Sequence, residues 1–166
     1  MSKNTVYDVF WEGPYKLDDI IDTQNKLVHD GHCLYQIYGD HPCYGRDVLL
    51  YIGKTLQGAA TRIKQHHKRF SSQVEEVKIF IASCHEFNSW EHRDSITKYG
   101  TIDSNTLDQI ESLLIYAHQP AYNSDKIKTL TTNHAFRVFN TGRRKSLLPE
   151  TSTEFWLPEK EMTQPS

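Results

Sequence analysis

Cys33-Leu34-Tyr35-Gln36-Ile37-Tyr38 and Leu49-Leu50-Tyr51-Ile52-Gly53-Lys54-Thr55 are two β-type runs parted by a polar loop that carries Gly39, Pro42 and Gly45. Tyrosine and isoleucine suit a pleated, packed surface, and glycine and proline punctuate the chain between strands. Residues 33–38 and 48–52 therefore predict an antiparallel hairpin that brings Tyr35 and Tyr51 near each other. Upstream, 6–11 reads as a short strand ending at Gly13-Pro14, and 17–28 as a helix stopped by His29-Asp30-Gly31. Downstream come a helix over 59–70, a strand over 77–81 and a helical stretch over 89–99. A clearer helix covers 107–118, with Ser104 and Asn105 as capping candidates and Pro120 as its stop. A strand over 136–139 and a short apolar piece near Phe155-Trp156 follow, and 159–166 reads as a frayed end. The pattern predicts an α/β (α+β) class domain: a small, mostly antiparallel central sheet flanked by helices.

At 166 residues, with 37% hydrophobic and 11% aromatic side chains, the chain suits one domain with a core that needs no disulfide or structural metal. Its three cysteines, Cys33, Cys43 and Cys84, lack Cys-x-x-Cys spacing, which points to a reducing cytoplasm. No segment reads as an export signal or a membrane span. The net charge of −2 argues against coating nucleic acid by bulk attraction. Any such contact needs a local basic surface, for which Arg62-Ile63-Lys64-Gln65-His66-His67-Lys68-Arg69 and Arg143-Arg144-Lys145 are the candidates.

Glu111 carries information of its own. At about 100° per residue, Ile110, Leu113, Leu114 and Ala117 share one arc of their helix, and Glu111 falls inside it. A carboxylate there demands a cation, a metal or hydrogen-bond donors. An arginine at the edge of the core answers that demand, and so does a divalent cation, for which a hard oxygen ligand suits Mg²⁺. His118 shares the Glu111 face and is a candidate partner for it.

Taken in order, a tyrosine strand, a Tyr-Ile-Gly strand, an arginine in the next helix, a glutamate helix and the ending Pro120-Ala121-Tyr122-Asn123 resemble the GIY-YIG nuclease family. The family includes domains of repair, homing and restriction endonucleases. Cys33 stands where the first family motif begins with glycine. The resemblance spans Cys33 to Asn123 and implies a nuclease core over about 31–125, within a single domain 1–166 that has extensions at 1–30 and 126–166. It implies a GIY-YIG-like fold and an endonuclease that hydrolyses DNA phosphodiester bonds with one Mg²⁺, for which Mn²⁺ substitutes. The alternative is a non-catalytic nucleic-acid-binding or regulatory protein on the same fold.

In that reading Glu111 holds the metal, and Tyr35 acts as general base towards water with Tyr51 positioning it. Free tyrosine has a pKa near 10, so such a base needs neighbouring positive charge, and Lys54 is a rival base. Arg62 would grip the non-bridging phosphate oxygens. His66 would bind phosphate or relay a proton, and Asn123 would hold the surface in shape by side-chain hydrogen bonds. Lys54, His67, Lys68 and Arg69, with Arg143, Arg144 and Lys145, would contact the nucleic-acid backbone. The extensions, a homodimer or a separate targeting protein are the expected sources of specificity, and because two cuts in a duplex need two sites, dimerisation or nicking is expected.

Overall fold

The computed structural model describes residues 5–21, 31–70, 76–91 and 102–157, without the side chains of 21 and 66–70. Its strands are β1 (Thr5–Lys16), β2 (Cys33–His41), β3 (Gly45–Thr55), β4 (Lys78–Glu86), β5 (Phe136–Gly142) and β6 (Glu150–Ser152). Its helices are α1 (Ala59–Phe70) and α2 (Ser104–His118), with short 3₁₀ turns at Asp19–Ile21 and Thr153–Phe155. The strands form one sheet in the order β3-β2-β4-β1-β5-β6. Every neighbouring pair is antiparallel except β1 and β5, so the sheet is mixed.

Alternation along β2 divides the core in two. Cys33, Tyr35 and Ile37 face a layer with Ala59, Ala60 and Ile63 of α1, while Leu34 and Tyr38 face a layer with Leu107, Ile110, Leu113 and Leu114 of α2. The two helices thus cover opposite faces of the sheet. Gln36 is buried on the α2 side, and its amide is satisfied by the Tyr38 hydroxyl at 2.6 Å and the Arg144 carbonyl at 3.3 Å.

The predicted hairpin forms, with Tyr35 opposite Gly53 and Ile37 opposite Tyr51. Several elements depart from expectation. β1 does not stop at Gly13-Pro14 but runs to Lys16 across a register shift between Glu12 and Tyr15. A proline lacks the N–H a regular ladder uses, and a bulge is where that loss is tolerated. β4 extends to Glu86 because it lies between β2 and β1, where Ala82, Ser83 and Cys84 are all buried. The cap of α2 is Asp103, one residue before the expected pair, and its carboxylate accepts from the Thr106 N–H at 2.9 Å. β5 reaches Gly142, β6 is an additional strand, and β1, β5 and β6 bring strands from both expected extensions into the sheet itself. The expected helices over 17–28 and 89–99 and the frayed 159–166 fall wholly or mostly outside the described residues. No helix among the described residues is long and apolar enough to cross a membrane.

Candidate active site at the edge strand

Edge strand β3 ends between the two helical layers, and there an open cleft of about 390 Å³ collects side chains from both. Tyr35 comes from β2, Tyr51, Lys54 and Thr55 from β3, Thr61, Arg62 and Gln65 from α1, and Glu111 from α2. Five residues singled out in the sequence as catalytic, Tyr35, Tyr51, Lys54, Arg62 and Glu111, are brought to one cleft.

The tyrosine rings stack with centroids 6.0 Å apart. Gly53 makes this possible, since a Cβ at that position would lie 2.5 Å from Cζ and Oη of Tyr35 and 2.7 Å from the Tyr51 ring. Tyr35 is fully buried, and its hydroxyl completes no hydrogen bond of good geometry among the described residues, although the Arg62 guanidinium lies near enough to act on it. Burial pushes its pKa well above the ordinary tyrosine value; Tyr51 and Glu111 push the same way, and the nearby Arg62 guanidinium opposes them. The expected general base is therefore held as a neutral phenol while the cleft contains only protein. Arg62 turns its Nη1 to Gln65 Oε1 at 2.9 Å, on the exposed side of α1. The side chains of His66, His67, Lys68 and Arg69 lie outside the described residues.

Glu111 is 7% exposed. Burial raises its pKa even though the Lys126 ammonium donates to Oε2 at 2.6 Å. The partner of this carboxylate is thus a lysine, where sequence reasoning offered an arginine or a metal. Lys126 also reaches Asp108 Oδ1 at 2.7 Å, and Lys54 reaches the same oxygen at 2.9 Å. Burial favours a higher pKa for Asp108, but the two ammonium groups outweigh it and hold the carboxyl below its usual range. Lys126 adopts a left-handed backbone (φ 65°), an uncommon and mildly costly conformation for a residue with a side chain. Asp108 and Lys126 were missed in the sequence. Asp108 is visible in hindsight at i−3 from Glu111, one turn back on the same face. The approach of Lys126 from the following loop has no local signal.

Asn123 pairs with a single residue of the edge strand. Its Oδ1 accepts from the Ile52 N–H at 3.0 Å and its Nδ2 donates to the Ile52 carbonyl at 2.9 Å, as a neighbouring strand would. Tyr122 N–H donates to the Leu50 carbonyl and Ala121 N–H to that of Leu49, so 121–123 is laid along β3 behind the cleft. His118 does not serve Glu111. Its Nδ1 meets the Leu114 carbonyl at 2.8 Å and its Nε2 accepts from the Leu148 N–H at 2.9 Å, which ties the end of α2 to the C-terminal segment. In the run at 143–145, Arg144 spends Nη1 on the Leu147 and Lys145 carbonyls, and Lys145 pairs with Asp47 above the Tyr38 ring. Arg143 is exposed.

Among the described residues, no three His, Cys, Asp or Glu side chains gather as a metal cage. The donor set instead suits a cation held by few protein oxygens. Asp108 and Glu111 already share one cation, the Lys126 ammonium, at 2.7 and 2.6 Å. Hard carboxylate oxygens of this kind suit Mg²⁺, which keeps several waters and borrows further ligands from substrate phosphate. No family model, curated protein or solved structure matches the chain.

Proposed function

We propose that the chain is a divalent-metal-dependent endonuclease with a GIY-YIG-like fold, hydrolysing DNA phosphodiester bonds with one Mg²⁺ or Mn²⁺. The observation that carries this reading is the convergence of Tyr35, Tyr51, Lys54, Arg62 and Glu111 on one cleft, where the buried Tyr35 hydroxyl completes no well-formed hydrogen bond. A buried polar group left unsatisfied costs about 1–3 kcal/mol, and a water or phosphate oxygen in the cleft would relieve it.

Glu111 would hold the metal, whose chemistry is to neutralise the scissile phosphate and stabilise the departing 3′ oxygen. Arg62 would leave Gln65, an exposed contact, to place its planar guanidinium on the non-bridging oxygens while staying beside Tyr35. As a phenolate, its own proton first lost to solvent, Tyr35 would accept the hydrogen bond of the attacking water and then its proton; Arg62 favours that form against the burial that opposes it. Of the two candidate bases Lys54 has its ammonium tied to Asp108, which favours Tyr35 for the part. Tyr51 stacks on Tyr35 and fixes its ring. The choice of DNA rests on the family resemblance, and the free thiols of Cys33, Cys43 and Cys84 fit action in the cytoplasm.

Supercoiled plasmid incubated with Mg²⁺, Mn²⁺ or EDTA tests the proposal. Metal-dependent nicking reduced ~1,000-fold in both Glu111→Ala and Tyr35→Phe is the expected result. A folded protein that cuts no plasmid, single-stranded or branched DNA would sink it. The second reading, a nucleic-acid-binding protein without the reaction, is favoured by one observation: Glu111 already has its ion partner in Lys126. That protein would bind DNA with full salt sensitivity and gain no stability from metal.

A further inference from the structure

Lys126 and a divalent cation would claim the same oxygen. Its ammonium stands 2.6 Å from Glu111 Oε2, and the left-handed turn at Lys126 and the 2.7 Å contact to Asp108 hold it there. Lys54, Lys126, Asp108 and Glu111 together carry no net charge. A divalent cation arriving alone therefore meets two ammonium groups and no surplus of negative charge, in a partly desolvated site where charge repulsion is poorly screened. Displacing Lys126 from Glu111 leaves it still paired with Asp108, so the exchange breaks one ion pair and keeps the other.

We propose that Lys126 is a tethered counter-ion that occupies Glu111 when substrate is absent and must be displaced for a divalent cation to bind there. The identity of that cation rests on the nuclease reading. The device makes metal binding depend on substrate: a phosphodiester brings the negative charge the cluster lacks, and by linkage each raises the other's affinity. Metal without DNA is held weakly, and the site stays quiet until both are present.

Titration calorimetry of Mn²⁺ into the metal-free full chain tests this with no need for cleavage, comparing wild type, Lys126→Met and the double variant Lys126→Met/Glu111→Gln. Lys126→Met is expected to bind Mn²⁺ on the order of tenfold more tightly than wild type. The added Glu111→Gln removes that gain. A merely structural lysine would leave the affinity unchanged or lower it. Equal or weaker binding in Lys126→Met, or a gain that survives Glu111→Gln, overturns the proposal. Should Lys126→Met not fold, Lys126→Gln keeps a donor for Glu111 without the charge and gives the same reading. Plasmid cleavage by the same preparations separates the two claims. Tighter Mn²⁺ binding in Lys126→Met with no cutting by wild type upholds the counter-ion and removes the nuclease. Cutting by wild type with unchanged Mn²⁺ affinity in Lys126→Met removes the counter-ion alone.

Discussion

Glu111 and Tyr35 face one cleft from opposite helical layers, and the chain treats them in opposite ways. The carboxylate is supplied with an ammonium partner that is itself anchored by a second carboxylate. The phenol, more deeply buried, completes no well-formed hydrogen bond and has only the neighbouring Arg62 charge. Where the chain completes its own polar groups, a ligand has to compete for them. Where it leaves one incomplete, a ligand finishes the structure.

Breaking the satisfied side has the larger effect. Lys126→Met strands a buried carboxylate, and a loss of about 2 kcal/mol at neutral pH is expected in denaturant unfolding without metal, below the range for a fully buried pair because Lys126 is partly exposed. On the open side, Gly53→Ala drives a methyl into the Tyr35 ring. That ring has no exposed direction in which to retreat, so a cost similar to or slightly below that of Lys126→Met, about 1–2 kcal/mol, is expected by the same measurement. Tyr35→Phe sharpens the contrast because no loss is expected: removing a buried hydroxyl that completes no well-formed hydrogen bond should leave stability unchanged or raise it by up to about 1 kcal/mol, while the proposed cleavage should disappear. A fall in stability would mean that the hydroxyl has a partner after all.

The smallest effect is a slope with pH. The folded pKa of Glu111 lies above its unfolded value, mainly through burial, so the folded chain holds this proton more tightly. Its contribution to stability is greatest below the unfolded pKa near 4.5 and is lost as pH rises through the folded value. Glu111→Gln removes that loss. Thermal unfolding of the two proteins from pH 4 upward should show wild type losing ground to Glu111→Gln as pH rises; parallel curves would mean that the Lys126 ammonium fully offsets burial.

The hairpin was legible because both of its strands announce themselves locally, by β-formers on each side of a Gly and Pro loop. Glu111 was legible as an anomaly in an otherwise apolar arc, which established that it needs compensation but not by what. The answer, Lys126, lies beyond the helix in a loop that no periodicity describes, and it depends on a left-handed turn. The full extent of β4 was hidden for a related reason: Ala82-Ser83-Cys84 has no strand signature and is extended because β2 and β1 flank it. The parallel pairing of β1 with β5 joins Thr5 to Phe136 and Trp11 to Gly142, a union of distant segments that leaves no trace in either. Gly53 was noticed as part of a motif, but its task, yielding space to two rings, belongs to the folded sheet.

The segment 121–123 also decides how copies of this protein can meet. By engaging the backbone of Leu49, Leu50 and Ile52, it denies the middle of the outer rim of β3 to a foreign strand. Two copies of the protein must therefore associate through some other surface, and the same seal keeps the middle of a long apolar edge strand from nucleating aggregates when the protein is concentrated.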